Sequence, residues 1–138
     1  MRKVVIAGSR DFDNYNELKR IIDSLNLSPE DEIVSGTAKG SDSLGELYGE
    51  NNNIKVVRYP AEWDKYGKVA GFKRNAQMAD YATEGVIFWD GRSRGSQNMI
   101  YQLGKMNKPF RIALFTTVDG AKIVTKVTNY NTKGGYSK

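Results

Sequence analysis

Residues 33–50 read IVSGTAKGSDSLGELYGE, and this stretch decides how the fold is read. An apolar pair, Ile33 and Val34, leads into Gly36 and Gly40, and the polar run that follows opens a helix with Leu44, Leu47 and Tyr48 along one face. A short apolar strand, a glycine-bearing turn and a helix, in that order, form the strand-to-helix passage of an α/β protein, where amides at the helix start hold anions. Gly40 is followed by Ser41 and Asp42 rather than by Lys and a hydroxyl residue, so the stretch is not a P-loop.

The same unit recurs on both sides. Lys3 to Ala7 (KVVIA) is a short apolar run ending at Gly8, the form of a buried parallel strand, and Leu18, Ile21, Ile22 and Leu25 then recur at helical spacing until Pro29. Glu32 to Val34 and Ile54 to Arg58 are further strands. A long loop around Pro60, Trp63 and Tyr66 precedes a third helix, with an apolar stripe at Val69, Phe72, Ala76 and Ala79. The strand Val86 to Trp89, the turn DGRSRGS, a helix through Ile100 and Leu103, and the strand Phe110 to Phe115 complete the alternation. Such a pattern predicts an α/β fold, a parallel sheet with helices on both faces, whose ligands bind beyond the carboxyl ends of the strands. Ile112 to Thr117 and Lys122 to Val127 flank Val118–Asp119–Gly120, a hairpin signal, and Asn129 to Lys138 reads as a mobile tail. The expected organisation is one domain over residues 1–117, followed by a hairpin strand and tail over 118–138.

Composition narrows the chemistry. The 138 residues include no Cys and no His, which removes disulfides, thiolate catalysis, thiolate zinc sites and the commonest neutral-pH base. No metal and no cofactor are expected. The apolar run in MRKVVIAGSR is too short for a signal peptide or a membrane span, so a cytoplasmic location is expected, with no membrane partner. Of the net charge of +5, residues from Phe110 onward supply +4, from Arg111, Lys122, Lys126, Lys133 and Lys138 against Asp119. A nearly neutral body argues against nucleic acid as the partner.

Three strand ends carry polar, glycine-bearing turns: Gly8–Ser9–Arg10, Ser35–Gly36–Thr37–Ala38–Lys39–Gly40–Ser41–Asp42, and Asp90–Gly91–Arg92–Ser93–Arg94–Gly95–Ser96. Parallel strands bring them to one edge, where glycines let the backbone approach a ligand. The first offers only Gly8, which excludes the three-glycine dinucleotide fingerprint. Asp42 either caps its helix or accepts hydrogen bonds from ribose hydroxyls, and Glu46 complements the helix N-terminus. Arg74 and Asn75 sit off the apolar stripe, which leaves either a solvent face or a guanidinium that grips phosphate. Trp63, Tyr66 and Trp89 are base-stacking or core aromatics.

Taken together, GSRDF, SGTAKGSDSLGE, PAEWDKYGKVAGFKRNAQM and FWDGRSRGSQNMI resemble the SLOG superfamily, in particular its YspA-like, cpYpsA-related branch in bacteria and phages, from about Lys3 to Pro109. The resemblance implies a Rossmann-like fold, a nucleotide or nucleotide-derived ligand, and self-association. The superfamily includes the LOG enzymes, which hydrolyse the N-glycosidic bond of nucleoside monophosphates, and the DprA proteins, which bind single-stranded DNA. LOG enzymes pair an Arg in an R-K-x-x-M helix with a Glu in a P-G-G-x-G-T-x-E-E turn. Arg74 to Met78 keeps the first pattern with Asn75 replacing Lys, whereas Asn98 and Met99 stand at the acidic positions of the second. The leading expectation is therefore binding or sensing of a nucleotide-like small molecule, with phosphate on the Gly36–Ser41 amides and a positive pocket supplied by Arg10 and Arg74. A LOG-like hydrolase with a displaced carboxylate is the alternative, with Arg74, Asp42 and Asp90 as catalytic candidates. DprA-like single-stranded nucleic-acid binding is the third reading.

Overall fold

The computed structural model describes residues 1–131. Among them the strands are β1 (Lys3–Gly8), β2 (Glu32–Ser35), β3 (Lys55–Arg58), β4 (Glu84–Trp89), β5 (Phe110–Val118) and β6 (Ala121–Tyr130). They form one sheet in the order β3-β2-β1-β4-β5-β6, parallel throughout except for the antiparallel β5–β6 pair. The helices are α1 (Tyr15–Asp23), α2 (Ser41–Asn51), α3 (Trp63–Tyr66), α4 (Ala70–Tyr81) and α5 (Arg94–Lys105), with a 3-10 turn at Gly67–Val69.

Val4, Val5 and Ile6 are buried on alternating faces because helices cover both sides of the sheet. On one side Val4, Ile6, Val86 and Phe88 pack with Leu18 and Ile22 of α1 and Tyr48 of α2. On the other, Val5, Ala7 and Ile87 meet Met78 and Ala79 of α4 and Met99 and Leu103 of α5. The chain winds outward from β1 to β3 and then returns to place β4 on β1's other side. That reversal opens a crevice above the β1 and β4 carboxyl ends.

Two helix faces differ from the sequence expectation. In α2 the stripe of Leu44, Leu47 and Tyr48 faces inward only in part: Tyr48 is buried and Leu44 packs against the core, but Leu47 is exposed, and Ser41, Asp42, Gly45 and Gly49 are buried as well. The small residues let the helix backbone press on the sheet, since a Cβ on Gly45 would lie 2.8 Å from Cγ2 of Ile6. In α4, Val69 precedes the helix and Phe72 is exposed, whereas Ala70, Asn75, Met78 and Ala79 face inward. Asn75 occupies a core-facing position because its amide is hydrogen-bonded there, which a reading based on apolar spacing cannot detect.

The hairpin is present, and its loop is the two residues Asp119 (φ 49°) and Gly120 (φ 82°), the positive pair that matches strand twist. Asn129 and Tyr130, expected in the tail, extend β6, and the Tyr130 ring stacks on Phe110 at 5.0 Å between centroids. The expected tail from residue 132 lies outside the described residues. Strand β6 is tied to α1 by a bond from the Val124 amide to Glu17 (2.8 Å) and one from the Asn14 side chain to the Lys122 carbonyl (2.9 Å). No helix of the described residues is long and apolar enough to cross a membrane.

The contact beneath α2 predicts that Gly45→Val, which must displace Ile6 or the helix, destabilises the fold by about 1–3 kcal/mol in urea denaturation, as overpacked cores do. The exposed Leu47→Ala on the same helix should cost much less.

Candidate functional site

The three polar turns meet around Ser9. Gly8 ends β1 against β4 so closely that a Cβ there would lie 2.1 Å from the Phe88 carbonyl oxygen, and the Ser9 amide donates to that oxygen at 2.8 Å. The Ser9 carbonyl accepts from the Ser41 hydroxyl (3.0 Å), the Ser41 amide (3.3 Å) and the Phe12 amide (3.3 Å). The Ser9 hydroxyl shares a hydrogen bond with the Ser93 hydroxyl at 3.1 Å and accepts from the Asp90 amide at 3.2 Å. Gly40, at φ +74°, passes where a Cβ would lie 2.3 Å from the Arg10 carbonyl oxygen. The turns are thus cross-linked into one floor.

Above it lies a cavity of about 390 Å³ lined by Gly8, Ser9, Arg10, Ala38, Asp42, Arg74, Asn75, Asp90, Ser93, Gly95 and Ser96. Asp11, Met78 and Met99 line it too and were missed in the sequence, although Asp11 stands in GSRDF and Met78 in FKRNAQM. Gly36 and Thr37 open instead on an adjoining cavity, which Arg10, Ala38 and Arg74 also line. Ser35, Gly40, Ser41 and Gly91 line neither. The Ser35 hydroxyl donates to Glu46 (2.6 Å) and accepts the Thr37 amide (3.0 Å), and Gly91 is exposed. Glu46 also accepts from Arg58 (3.0 Å), so it ties α2 to the β3 end rather than complementing its own helix N-terminus.

Several amides expected to receive phosphate are already occupied. Between Gly36 and Ser41, the Thr37 amide bonds Ser35, the Ala38 amide bonds Asp42 Oδ2 at 3.1 Å, and the Ser41 amide bonds the Ser9 carbonyl. Asp90 likewise accepts the Arg92 and Ser93 amides at 2.8 Å each. The main cavity is also not the positive pocket expected, because Asp11, Asp42 and Asp90 line it beside Arg10 and Arg74. The β1 end delivers Arg10 together with Asp11, while Arg74 comes from α4.

Arg74 is half-buried rather than solvent-facing. Its Nη1 donates to the Gly36 carbonyl and its Nε to Asn75 Oδ1 at 3.0 Å, while Nη2 makes no hydrogen bond among the described residues. Burial, opposed by Asp42 and assisted by Arg10, draws its pKa below the ordinary value. Burial also pushes the Asp42 carboxyl up to about 6, against the Ala38 amide and the Arg74 and Arg10 charges. At Asp90 burial works against ionisation, yet bonds from the Ser93 and Arg92 amides and from Ser9 and Ser93 outweigh it and hold the carboxyl below its ordinary value. Asn75 donates to the Gly95 carbonyl (3.2 Å) and to Asn98 Oδ1 (3.1 Å). Of the aromatics, Trp63 lines the adjoining cavity, Trp89 donates to the Ser93 carbonyl (3.1 Å) from the edge of the core, and Tyr66 lies under Lys65 and Lys73. Among the described residues no group of three or more His, Cys, Asp or Glu is placed to hold a metal ion.

A doubly wound α/β domain with a polar crevice at its switch point is a Rossmann-like architecture. Residues 2–66 match the family model described as the YspA, cpYpsA-related SLOG family. It is 29% identical over 117 residues to the Gene 61 protein of Mycobacterium phage D29, covering 79% of this chain and 94% of that one. DNA processing protein A (DprA) from Streptococcus pneumoniae shares the fold with a TM-score of 0.70 at 20% identity, covering 87% of this chain. The chain spans about half, 53%, of that DprA chain. At 20% identity the likeness to DprA is one of fold.

A raised carboxyl pKa sets the sign of a pH effect. The folded chain keeps the Asp42 proton as pH rises past the ordinary value of 3.8, so stability falls from there through about 6 and the deficit persists above. Between about pH 5 and about pH 7.5 the wild type should lose on the order of 1 kcal/mol that Asp42→Asn does not lose, measured by urea denaturation at both pH values.

Proposed function

We propose that the chain binds a nucleotide or nucleotide-derived ligand in the crevice beyond β1 and β4. The observation that carries this reading is the convergence of two guanidiniums, Arg10 and Arg74, with the acceptors Asp42, Asp90 and Asn75 around one cavity of about 390 Å³. A simple anion site needs only cations and amides. A sugar phosphate needs cations for the phosphoryl oxygens and carboxylate or amide oxygens for the hydroxyls, and the cavity offers both. The occupied amides between Gly36 and Ser41 move the phosphate contacts from backbone to side chains: to Arg10, which makes no hydrogen bond or ion pair of its own among the described residues, and to Arg74 Nη2. The N-terminus of α5, where Gly95 and Ser96 line the cavity, adds a favourable dipole.

One observation favours a second reading, hydrolysis of an N-glycosidic bond. Asp42 is 4% exposed, faces the cavity and has its carboxyl pushed up to about 6, toward the range in which a general acid works. Against it, Asn98 stands where the LOG pattern carries an acid, and that Asn is bonded to Asn75, the other departure from the pattern.

Isothermal calorimetry with nucleoside monophosphates, ADP-ribose and cyclic dinucleotides tests binding. Arg74→Lys keeps the charge but loses the fork that spans Gly36 and the ligand, so both Arg74→Lys and Arg74→Ala should weaken affinity, by about 1.5–3 kcal/mol or roughly 10- to 150-fold. Unchanged affinity in both would remove Arg74 from the site. Chromatography for released base, with Asp42→Asn as control, decides between binding and hydrolysis.

A further inference from the structure

Two cavities meet at one pair of cations. The main cavity and a second of about 580 Å³ share Arg10, Ala38 and Arg74. Beyond that waist their walls differ. The main cavity presents carboxylates and amides, whereas the second presents Trp63, Pro60 and Ala61 with Lys39 at its edge. Trp63 stays 49% exposed and belongs to neither core cluster, so packing does not explain it. It is nevertheless positioned: the indole edge (Cη2) lies 3.3 Å, and Arg74 Nη2 3.8 Å, from the point a Cβ on Gly71 would occupy. A half-exposed indole beside a guanidinium, over an open cavity, is a stacking platform for a planar ring.

The charges of the main cavity add an independent constraint. Asp11, Asp42 and Asp90 repel a terminal phosphate, which carries between one and a half and two negative charges at neutral pH. A phosphodiester carries one, and a pyrophosphate bridge spreads two over two phosphoryl groups, one on each. We propose that the second cavity is the base subsite of a ligand whose phosphate lies at the Arg10–Arg74 waist, with Trp63 stacked on the base and a second organic group in the main cavity. The preferred ligand class is then a nucleotide substituted on both sides of its phosphate, by a diester or a pyrophosphate bridge, rather than a nucleoside monophosphate. This rests on the reading that Arg10 and Arg74 hold phosphate.

The test is calorimetry on the full chain with a pyrophosphate-bridged probe (ADP-ribose), a diester probe (adenylyl adenosine), AMP and ribose 5-phosphate, using wild type, Trp63→Ala, Trp63→Phe and Arg74→Ala. At least one bridged probe should bind about tenfold or more tightly than AMP. Trp63→Ala should weaken that probe by about 5- to 150-fold, the range of one base–aromatic stack, and Trp63→Phe should recover most of the loss. Ribose 5-phosphate, with no ring to stack, should not respond to Trp63→Ala. Melting curves of the Trp63 variants should match wild type because the side chain is exposed. Bridged-probe binding that is lost in Arg74→Ala but unchanged in Trp63→Ala would overturn the base subsite and leave nucleotide binding standing. AMP binding as tightly as both bridged probes would overturn the two-sided ligand. Failure of all four probes to bind the wild type would overturn both readings.

Discussion

The carbonyl oxygen of Ser9 is the point on which the site depends. It gathers the Ser41 amide and hydroxyl and the Phe12 amide, and it can do so only because Gly8, one residue earlier, lets β1 run against the Phe88 carbonyl of β4. Any side chain at position 8 would push apart the two strands between which the sheet reverses direction. With them would go the start of α2, held by Ser41, and the turn after β4, held by the Ser9 hydroxyl through Ser93 and the Asp90 amide. The cavity floor is therefore built from backbone and small hydroxyls with fixed partners, while the groups with spare valence, Arg10 and Arg74 Nη2, stand around it.

That division explains why the carboxylates matter. Asp90 accepts hydrogen bonds from the Arg92 and Ser93 amides, and these help to outweigh its desolvation and hold the carboxyl below its ordinary value. Asp42 has one bond from the Ala38 amide and is more deeply buried, so desolvation wins and its proton is held longer. Two acids at the rim of one cavity are thus set to different protonation tendencies by how many amides each collects. The same bond from Ala38 shapes the loop that separates the two cavities, which links the charge state of Asp42 to the waist where Arg74 reaches the Gly36 carbonyl.

Much of the architecture was legible because parallel strands leave a simple trace. KVVIA and VIFW are continuous apolar runs, since both of their faces are covered, and Asp119–Gly120 can hardly be other than a tight turn. The convergence of the three turns followed from strand direction alone. Helix faces were legible only in part: beside apolar residues such as Tyr48, Met78 and Ala79, α2 buries Ser41, Asp42, Gly45 and Gly49 and α4 buries Asn75, whose burial comes from close approach and satisfied hydrogen bonds instead of apolar area. The fate of the Gly36–Ser41 amides was not legible. A sequence shows that an amide exists and that Ser35 or Asp42 is near in chain order, but which of them takes the amide before a ligand does is set by backbone angles such as φ +65° at Thr37.

The departures from the LOG pattern gain meaning from contact. Asn75 is 5% exposed and donates to Asn98 at 3.1 Å, so the two positions that in LOG enzymes carry a cation and an acid carry here a neutral hydrogen-bonded pair. A lone Lys at 75 would bury an unpaired charge, whereas a carboxylate at 98 would still accept the hydrogen bond from the Asn75 amide. Any catalytic carboxylate in this chain has to come from the other strand ends, where Asp42 already sits beside Arg74 at the edge of the cavity.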